Sequence, residues 1–373
     1  MKSSGRNFLL FVLALAIVFA GLYLSVFSGP EEKGSAGEVL SVPFAEEVDV
    51  YVDRLGDRVR QMEGPLFGSE EILDACWRGS ELAGSSLDKR VARHLKDPFT
   101  GPPERTAPQE VSPPLASALR GSIRSVRPAD GRKVVALTFD LCERTRHRTG
   151  YDAAIVNYLR REKVKATFFA GGKWMHSHPD KTMQLMADPL FEVGNHAWTH
   201  GNLRVIKGQD MRDQVLWTQS QYELLREDLS GLSCTKGLRE EMDKIPRSIE
   251  VFRFPYGTCS DEALSFLAEI GLPAIQWDVV TGDPSPRCRA EDIADEVRRN
   301  VKPGSIVIMH ANGYGHGTSE ALPLFVPELR ERGYSFLTIS GLLESGKPET
   351  ADTCFSLEPG DNKEIDVIYG RGT

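Results

Sequence analysis

The chain has 373 residues, 40% of them hydrophobic and 26% charged, so it can bury a large core and is not disordered throughout. A net charge of -8 and a pI near 5.6 give no basic footprint for nucleic acid and little attraction to anionic lipid. A neutral or cationic substrate suits that balance better than a polyanion.

Lys2 and Arg6 precede residues 8–27, a run without charge. At about 1.5 Å per residue it spans about 30 Å, the thickness of a hydrocarbon core. The segment after it, Phe27-Ser28-Gly29-Pro30, is a poor small-residue cleavage site, which predicts an uncleaved signal anchor over residues 1–27. With Lys2 and Arg6 on the inner side, the rest of the chain is exported, to the periplasm or beyond the cell.

Residues 28–124 read as a stalk or small helical segment without chemistry. Helical spacing occurs at 46–62 and 70–96, followed by a proline-rich linker at 98–114. Beyond residue 134, short apolar runs alternate with amphipathic stretches. Strands are predicted at 134–139, 165–169, 191–193, 249–253, 274–280, 305–309 and 334–339. Helices are predicted at 151–162, 180–186, 208–229, 261–270, 290–300 and 319–332. Such alternation indicates an α/β fold, a closed or nearly closed (β/α) barrel of about seven parallel strands spanning residues 125–345. Residues 346–373 are polar and are predicted to be a loosely ordered tail.

Six cysteines (Cys76, Cys142, Cys234, Cys259, Cys288, Cys354) have no CxxC spacing, so disulfides suit an exported chain better than a structural zinc knot. Cys142 lies two residues after Asp140 and Cys259 three after Tyr256, which suggests that these two thiols meet at a shared rim.

In a parallel barrel, reactive side chains gather where strands end at their carboxyl side. Asp140, His196, Arg253 and His310 all fall there. His196 and His200 have the i, i+4 spacing with which two imidazoles share one divalent ion, and Ala197 excludes the HExxH arrangement. Pro255 fixes the backbone ahead of Tyr256, whose amide is a candidate oxyanion donor. Strand alternation puts Ile306, Ile308 and His310 on one face, with the Ile308 side chain suited to an acetyl methyl group. A carboxylate, two imidazoles at ligand spacing, a guanidinium and a further imidazole are the parts of a metal-assisted hydrolase acting on a poor electrophile. His147 and His316 lie in loops near the same rim.

Thr138-Phe139-Asp140, His196-x-x-x-His200, Arg253-x-Pro255-Tyr256, Asp283 and Ile308-x-His310 resemble, in order and approximate spacing, the five motifs of the polysaccharide deacetylases, carbohydrate esterase family four, with the NodB-homology fold. The resemblance covers roughly residues 124–345. It implies a distorted (β/α) barrel and a metal-dependent enzyme that removes N-acetyl groups from a sugar polymer; two imidazoles and a carboxylate favour zinc, with cobalt the alternative, and an exported, tethered chain favours a cell-envelope glycan such as peptidoglycan. It also implies roles: Asp140 as general base, His196 and His200 as metal ligands, His310 as general acid, Arg253 orienting Asp140, Asp283 beside His310, and Tyr256 as oxyanion donor.

The chain departs from the family in three places. Leu141 stands where a second, metal-ligating Asp is usual, leaving Glu143 or Asp140 itself as the third ligand, with Glu143 also the replacement base if Asp140 binds metal. Val280 stands where an Asp that tunes the acid histidine is usual. Pro284 stands where an aromatic is usual, so Trp277 is a candidate wall of the acetyl pocket. Two other functions fit the same residues: an O-acetyl sugar esterase, and an inactive glycan-binding or envelope scaffold.

Overall fold

The computed structural model describes residues 67–96, 98–99 and 101–373. The predicted anchor and the predicted helix at 46–62 lie outside them. No described helix is long and apolar enough to cross a membrane.

The centre of the fold is β2 (Val134–Leu141), whose every residue is buried. A strand covered on both faces reads as a continuous apolar run rather than an alternating one. In register beside it lie β3 (Ala166–Ala170) and β7 (Ser305–His310), both parallel to it, and β4 (Phe191–Asn195) continues the sheet beyond β3. On the other side of β7 come β1 (Ser122–Pro128) and β5 (Ala274–Ile275). Short strands β6 (Val279–Val280) and β8 (Ser335–Phe336) pair with β7 and β2, and β9 (Gly346–Ala351) pairs with β1. Single-residue bridges from Phe252 to Asn195 and to Ala274 link β4 with β5, so the curled sheet returns on itself.

Four features differ from the predicted all-parallel sheet. Strand β1 is antiparallel to both β7 and β9. Its sequence, SIRSVRP, starts at residue 122, ahead of the boundary expected at 125. The run predicted as one strand at 274–280 is broken into β5 and β6, and the predicted strand at 249–253 contributes only the Phe252 bridges. The predicted strand at 334–339 shrinks to β8, because Thr338 accepts from the Gly341 amide and starts the helix Ile339–Glu344.

Alternation along the strands divides the core into layers. Val135, Leu137, Phe139 and Leu141 face the helices, packing with Val307 and Met309 of β7. Val134 and Ala136 face the interior with Ile306 and Ile308. Asp140 and Cys142 continue that inner face toward the carboxyl ends. Leu141, pointing the other way, is fully buried among apolar side chains.

The segments before and after the sheet are built into the fold. Of the helix expected at 70–96, only Glu70–Cys76 and Gly79–Ala83 are helical. Ala92 then pairs antiparallel with Arg148. In the expected linker, Arg105 pairs with Glu223 and Glu227, and the amides of Gln109 and Glu110 donate to Glu223, fastening it to the helix Gly208–Gly231. The tail expected to be loose is ordered. Strand β9, a disulfide from Cys354 to Cys259, and the helix Ile365–Tyr369, held through Arg204 and Asp366, tie it to the domain. A second disulfide joins Cys76 to Cys234. The suspected Cys142–Cys259 bond is therefore not formed: Cys259 is taken by the returning tail, and Cys142 is a buried free thiol.

Candidate active site

The β2–β7 register sets Asp140 opposite His310 and Thr138 opposite Ile308, so two of the motif residues are neighbours by strand pairing alone. Asp140 is buried. Arg253 Nη1 donates to its Oδ1 at 2.9 Å, and His196 Nε2 lies 3.4 Å from its Oδ2. Burial opposes the charge of Asp140, but His196, Arg253 and His310 outweigh it and hold the carboxyl below its usual range. Arg253 is itself fully buried. It lies 4.0 Å over the Phe169 ring and donates from Nε to the Ile275 carbonyl at 3.4 Å and from Nη2 to that of Gln276 at 3.3 Å. A charge so placed persists only because each side of it is satisfied.

The two histidines sit on an irregular loop after β4, not on a helix. Asn195 shapes its start, accepting from the Ala197 amide at 3.0 Å and donating to the Val215 carbonyl at 3.0 Å. From the helix Gly208–Gly231, Gln214 accepts from the amides of Thr199 and Gly201. Ala197 and His200 have φ of 61° and 58°, and Tyr256 in the facing loop has 60°. Non-glycine residues in this region are strained by about 1–3 kcal/mol each, and such strain gathers at functional sites. Gly194, just before this loop, lies so close to the Phe169 ring that a Cβ there would come within 2.5 Å of it.

His196 Nδ1 is hydrogen-bonded to the Arg253 carbonyl at 2.9 Å, which turns Nε2 inward. That Nε2 and His200 Nδ1 are buried without hydrogen-bond partners. The His196 and His200 rings and Cys142 Sγ together offer one donor atom each, all within 4.8 Å of one another. Burial pushes both imidazoles toward the neutral form that ligates metal, His200 well down. The Cys142 thiol is pushed up by burial and by Asp140 and Glu143, and Sγ accepts from Asn312 Nδ2 at 3.3 Å. Two unpartnered imidazole nitrogens and a sulfur fit a divalent ion of the zinc type, which takes three protein ligands and leaves a position open.

Glu143, expected as the third ligand or replacement base, is not brought to this group. Its carboxylate accepts from Lys173, Ser177 and the Thr149 amide instead. The candidate ligand that sequence reasoning missed is Cys142. Its signal was present: residues 140 and 142 share one face of an extended strand, and 141 and 143 the other.

Asp283 is buried beneath His310. It takes the His310 amide at 2.7 Å and Nδ1 at 2.9 Å, and accepts from Thr318 Oγ1 at 2.8 Å. Burial works against a charged His310, but the attraction and hydrogen bond of Asp283 prevail and raise its affinity for a proton. Asp283 thus reaches His310 although Val280 stands where an Asp was expected. Asp140, Cys142, His200, Asp283 and His310 border a cavity of about 520 Å³, whose walls include Tyr256, Trp277, Ile308 and Pro284. Tyr256 packs edge-on against His200 at 4.3 Å and stacks on Tyr369 of the tail at 4.9 Å. His147 and His316, expected near the rim, line it too.

Residues 127–275 match the polysaccharide deacetylase family. A peptidoglycan-N-acetylglucosamine deacetylase of Bacillus cereus is 29% identical over 215 residues, 57% of this chain and 69% of that one. A protein of the same description from Listeria monocytogenes is 28% identical over 282 residues, 76% of this chain, and the chain spans about half of its length, 51%. Among solved structures, a CE4 family pseudoenzyme from Bacillus anthracis is 26% identical, covering 63% of this chain and 72% of that one, with a TM-score of 0.49.

Proposed function

We propose, from the premise that residues 127–275 belong to the polysaccharide deacetylase family, that the chain is a hydrolase removing N-acetyl groups from a cell-envelope glycan, peptidoglycan or a related N-acetylhexosamine polymer. The observation that carries this reading is the gathering of Asp140, His310, Cys142 and His200 on the wall of one cavity, with His196 3.4 Å from Asp140 and grouped with Cys142 and His200. Cys142, His196 and His200 would hold a divalent ion, zinc by its preference for imidazole and thiolate, supplying Lewis acidity at the acetamido carbonyl.

The chain's own groups handle the protons. Asp140, kept ionised and oriented by Arg253, takes the proton of the attacking water on Oδ2. His310 has Nδ1 bound to Asp283, which leaves Nε2 to protonate the departing amine. An amine is a poor leaving group unless protonated, so the raised proton affinity of His310 serves the second half of the reaction. Ile308 and Trp277 offer an apolar wall for the acetyl methyl, and the loop of Tyr256 offers a backbone donor to the oxyanion.

Export of the catalytic domain, tethered by residues 1–27, belongs to the same proposal. The Cys76–Cys234 and Cys259–Cys354 disulfides support it, since such bonds persist in oxidising compartments. The test is acetate release from peptidoglycan and N-acetylglucosamine oligomers by the zinc-loaded chain, with O-acetylated xylan as the ester comparison. Wild type should release acetate from the amide substrates, and His196→Ala should release at least about a hundredfold less. Equal release by the two proteins would contradict the assignment, and release from the ester alone would replace it with an esterase.

A further inference from the structure

The rim of the cavity carries a charge opposite to that of the whole chain. Two segments, joined by the antiparallel Ala92–Arg148 bridge, form one wall. The two segments carry Arg90, Arg93, Arg144, Arg146 and Arg148, none of which forms an ion pair among the described residues, and Arg90 and Arg148 face a neighbouring pocket. Arg146 and Arg148 are spent on the carbonyls of Leu95 and Ser177. Arg93 and Arg144 line the cavity itself. The Arg93 guanidinium stands 5.3 Å from the centre of the Tyr314 ring and that of Arg144 5.8 Å from the Tyr369 ring. Nε of Arg144 is buried without a hydrogen-bond partner.

The carboxylates nearby do not answer these charges. Asp140 is held by Arg253, Asp283 by His310, and Glu143 by Lys173. The excess is felt at His147, between the two arginines, where burial, Arg144, Arg93, His94 and Lys173 all disfavour the protonated ring. Two guanidinium groups braced on aromatic rings at the mouth of a cleft, with no internal counter-charge, are arranged to receive an external anion.

We propose that Arg93 and Arg144 clamp a carboxylate of the glycan, so that the preferred substrate is an acidic polymer in which the N-acetylated sugar bears, or lies beside, a carboxylate-bearing unit. The planar fork of a guanidinium matches a carboxylate with two parallel hydrogen bonds, and two forks on one wall fix the register of the polymer over His310. This rests on the deacetylase reading for the reaction, but the clamp is a binding site and is tested by binding. It also replaces the expectation from net charge that the substrate is neutral or cationic: a local field, not the sum over the chain, decides what enters a cleft.

The experiment measures binding of the full chain to four matched oligosaccharides: one carrying a lactyl-ether carboxylate, one carrying a uronic acid, and the carboxyl-reduced counterpart of each. A phosphate-substituted N-acetylhexosamine oligomer serves as the other anion. A carboxylated glycan should bind at least about tenfold tighter than its reduced form, the difference typical of a charge-assisted hydrogen bond, and added salt should shrink that preference. In R93Q/R144Q the ratio should fall to within about twofold of unity. Arg144→Lys, with wild type at high salt, keeps the test open if the double variant misfolds. Which of the two acids binds better identifies the source of the carboxylate. Equal affinity for carboxylated and reduced glycans, an undiminished preference in the double variant, or preference for the phosphate oligomer alone would overturn the clamp. Acetate release separates it from the reaction: release with no carboxylate preference leaves the deacetylase without the clamp, and preference with no release leaves the clamp without the deacetylase.

Discussion

At the scale of single residues, Cys142 and Asp283 distinguish this site from the arrangement that its motifs imply. Leu141 occupies the place of an expected ligand and points into the apolar layer, so in the proposed metal site the third donor is Cys142, the next residue on the other face of the strand. If its sulfur completes the metal set, the cobalt-loaded chain will show a near-ultraviolet sulfur-to-cobalt charge-transfer band. Cys142→Ser will lose that band and bind metal at least about tenfold more weakly. A variant that keeps both band and affinity would leave the thiol a bystander. Asp283 acts on His310 through charge and two hydrogen bonds. Its removal lowers the proton affinity of the ring, so the protonated acid is lost at lower pH. In Asp283→Asn the alkaline limb of the kcat/KM profile should therefore move to lower pH, with kcat at neutral pH down about tenfold or more. An unmoved limb would show that Asp283 only holds the backbone of β7.

At the scale of elements, legibility followed local pattern. Buried parallel strands such as β2 and β7 were readable as apolar runs, and they carried Asp140 and His310 to the right end of the sheet because position within a strand is local information. The pairing partner is not local. Strand β1 has a sequence no different from an edge strand of either sense, and its antiparallel sense shows only against its partners β7 and the returning β9. Arg253 was found by motif although its strand is reduced to the Phe252 bridges, since the ion pair with Asp140 holds it better than a ladder would. Glu143 was misassigned because ligand type was weighed without the strand's period of two. The loop after β4 offers a test of how closely these elements must fit. A methyl at Gly194 would press on the Phe169 ring that lies under Arg253. Gly194→Ala should therefore destabilise the fold by about 1–3 kcal/mol in chemical denaturation and lower kcat by displacing the guanidinium from Asp140. Unchanged stability and kcat would mean that the ring simply gives way.

At the scale of the whole molecule, the cleft is enclosed by chain that lies outside the (β/α) pattern. The segment around Arg93 precedes the sheet, and Tyr369 and Ser356 follow it, yet all three line the cavity. The polar composition of residues 346–373 concealed this, since order there comes from a disulfide and from contacts with distant residues. Asn202 donates to Asp366 at 2.8 Å and the Gly372 carbonyl accepts from the Tyr256 hydroxyl at 2.8 Å, both across more than a hundred residues of sequence. The Cys259–Cys354 bond closes a loop of 95 residues between the Tyr256 loop and the tail. Cross-linking a loop of that length removes denatured-state entropy, and losing such a bond typically costs about 2–5 kcal/mol. Cys259→Ser/Cys354→Ser should therefore unfold at lower denaturant and be nicked by protease in the tail before the rest of the domain opens. Because Tyr369 walls the cavity without touching the Cys142–His196–His200 group, the same variant should raise KM for a polymer several-fold while its bound metal stays at the wild-type ratio. A loss of metal alongside the rise in KM would mean instead that the tail supports the ligand loop through Tyr256 and His200, and that the wall and the reacting centre are one cooperative unit.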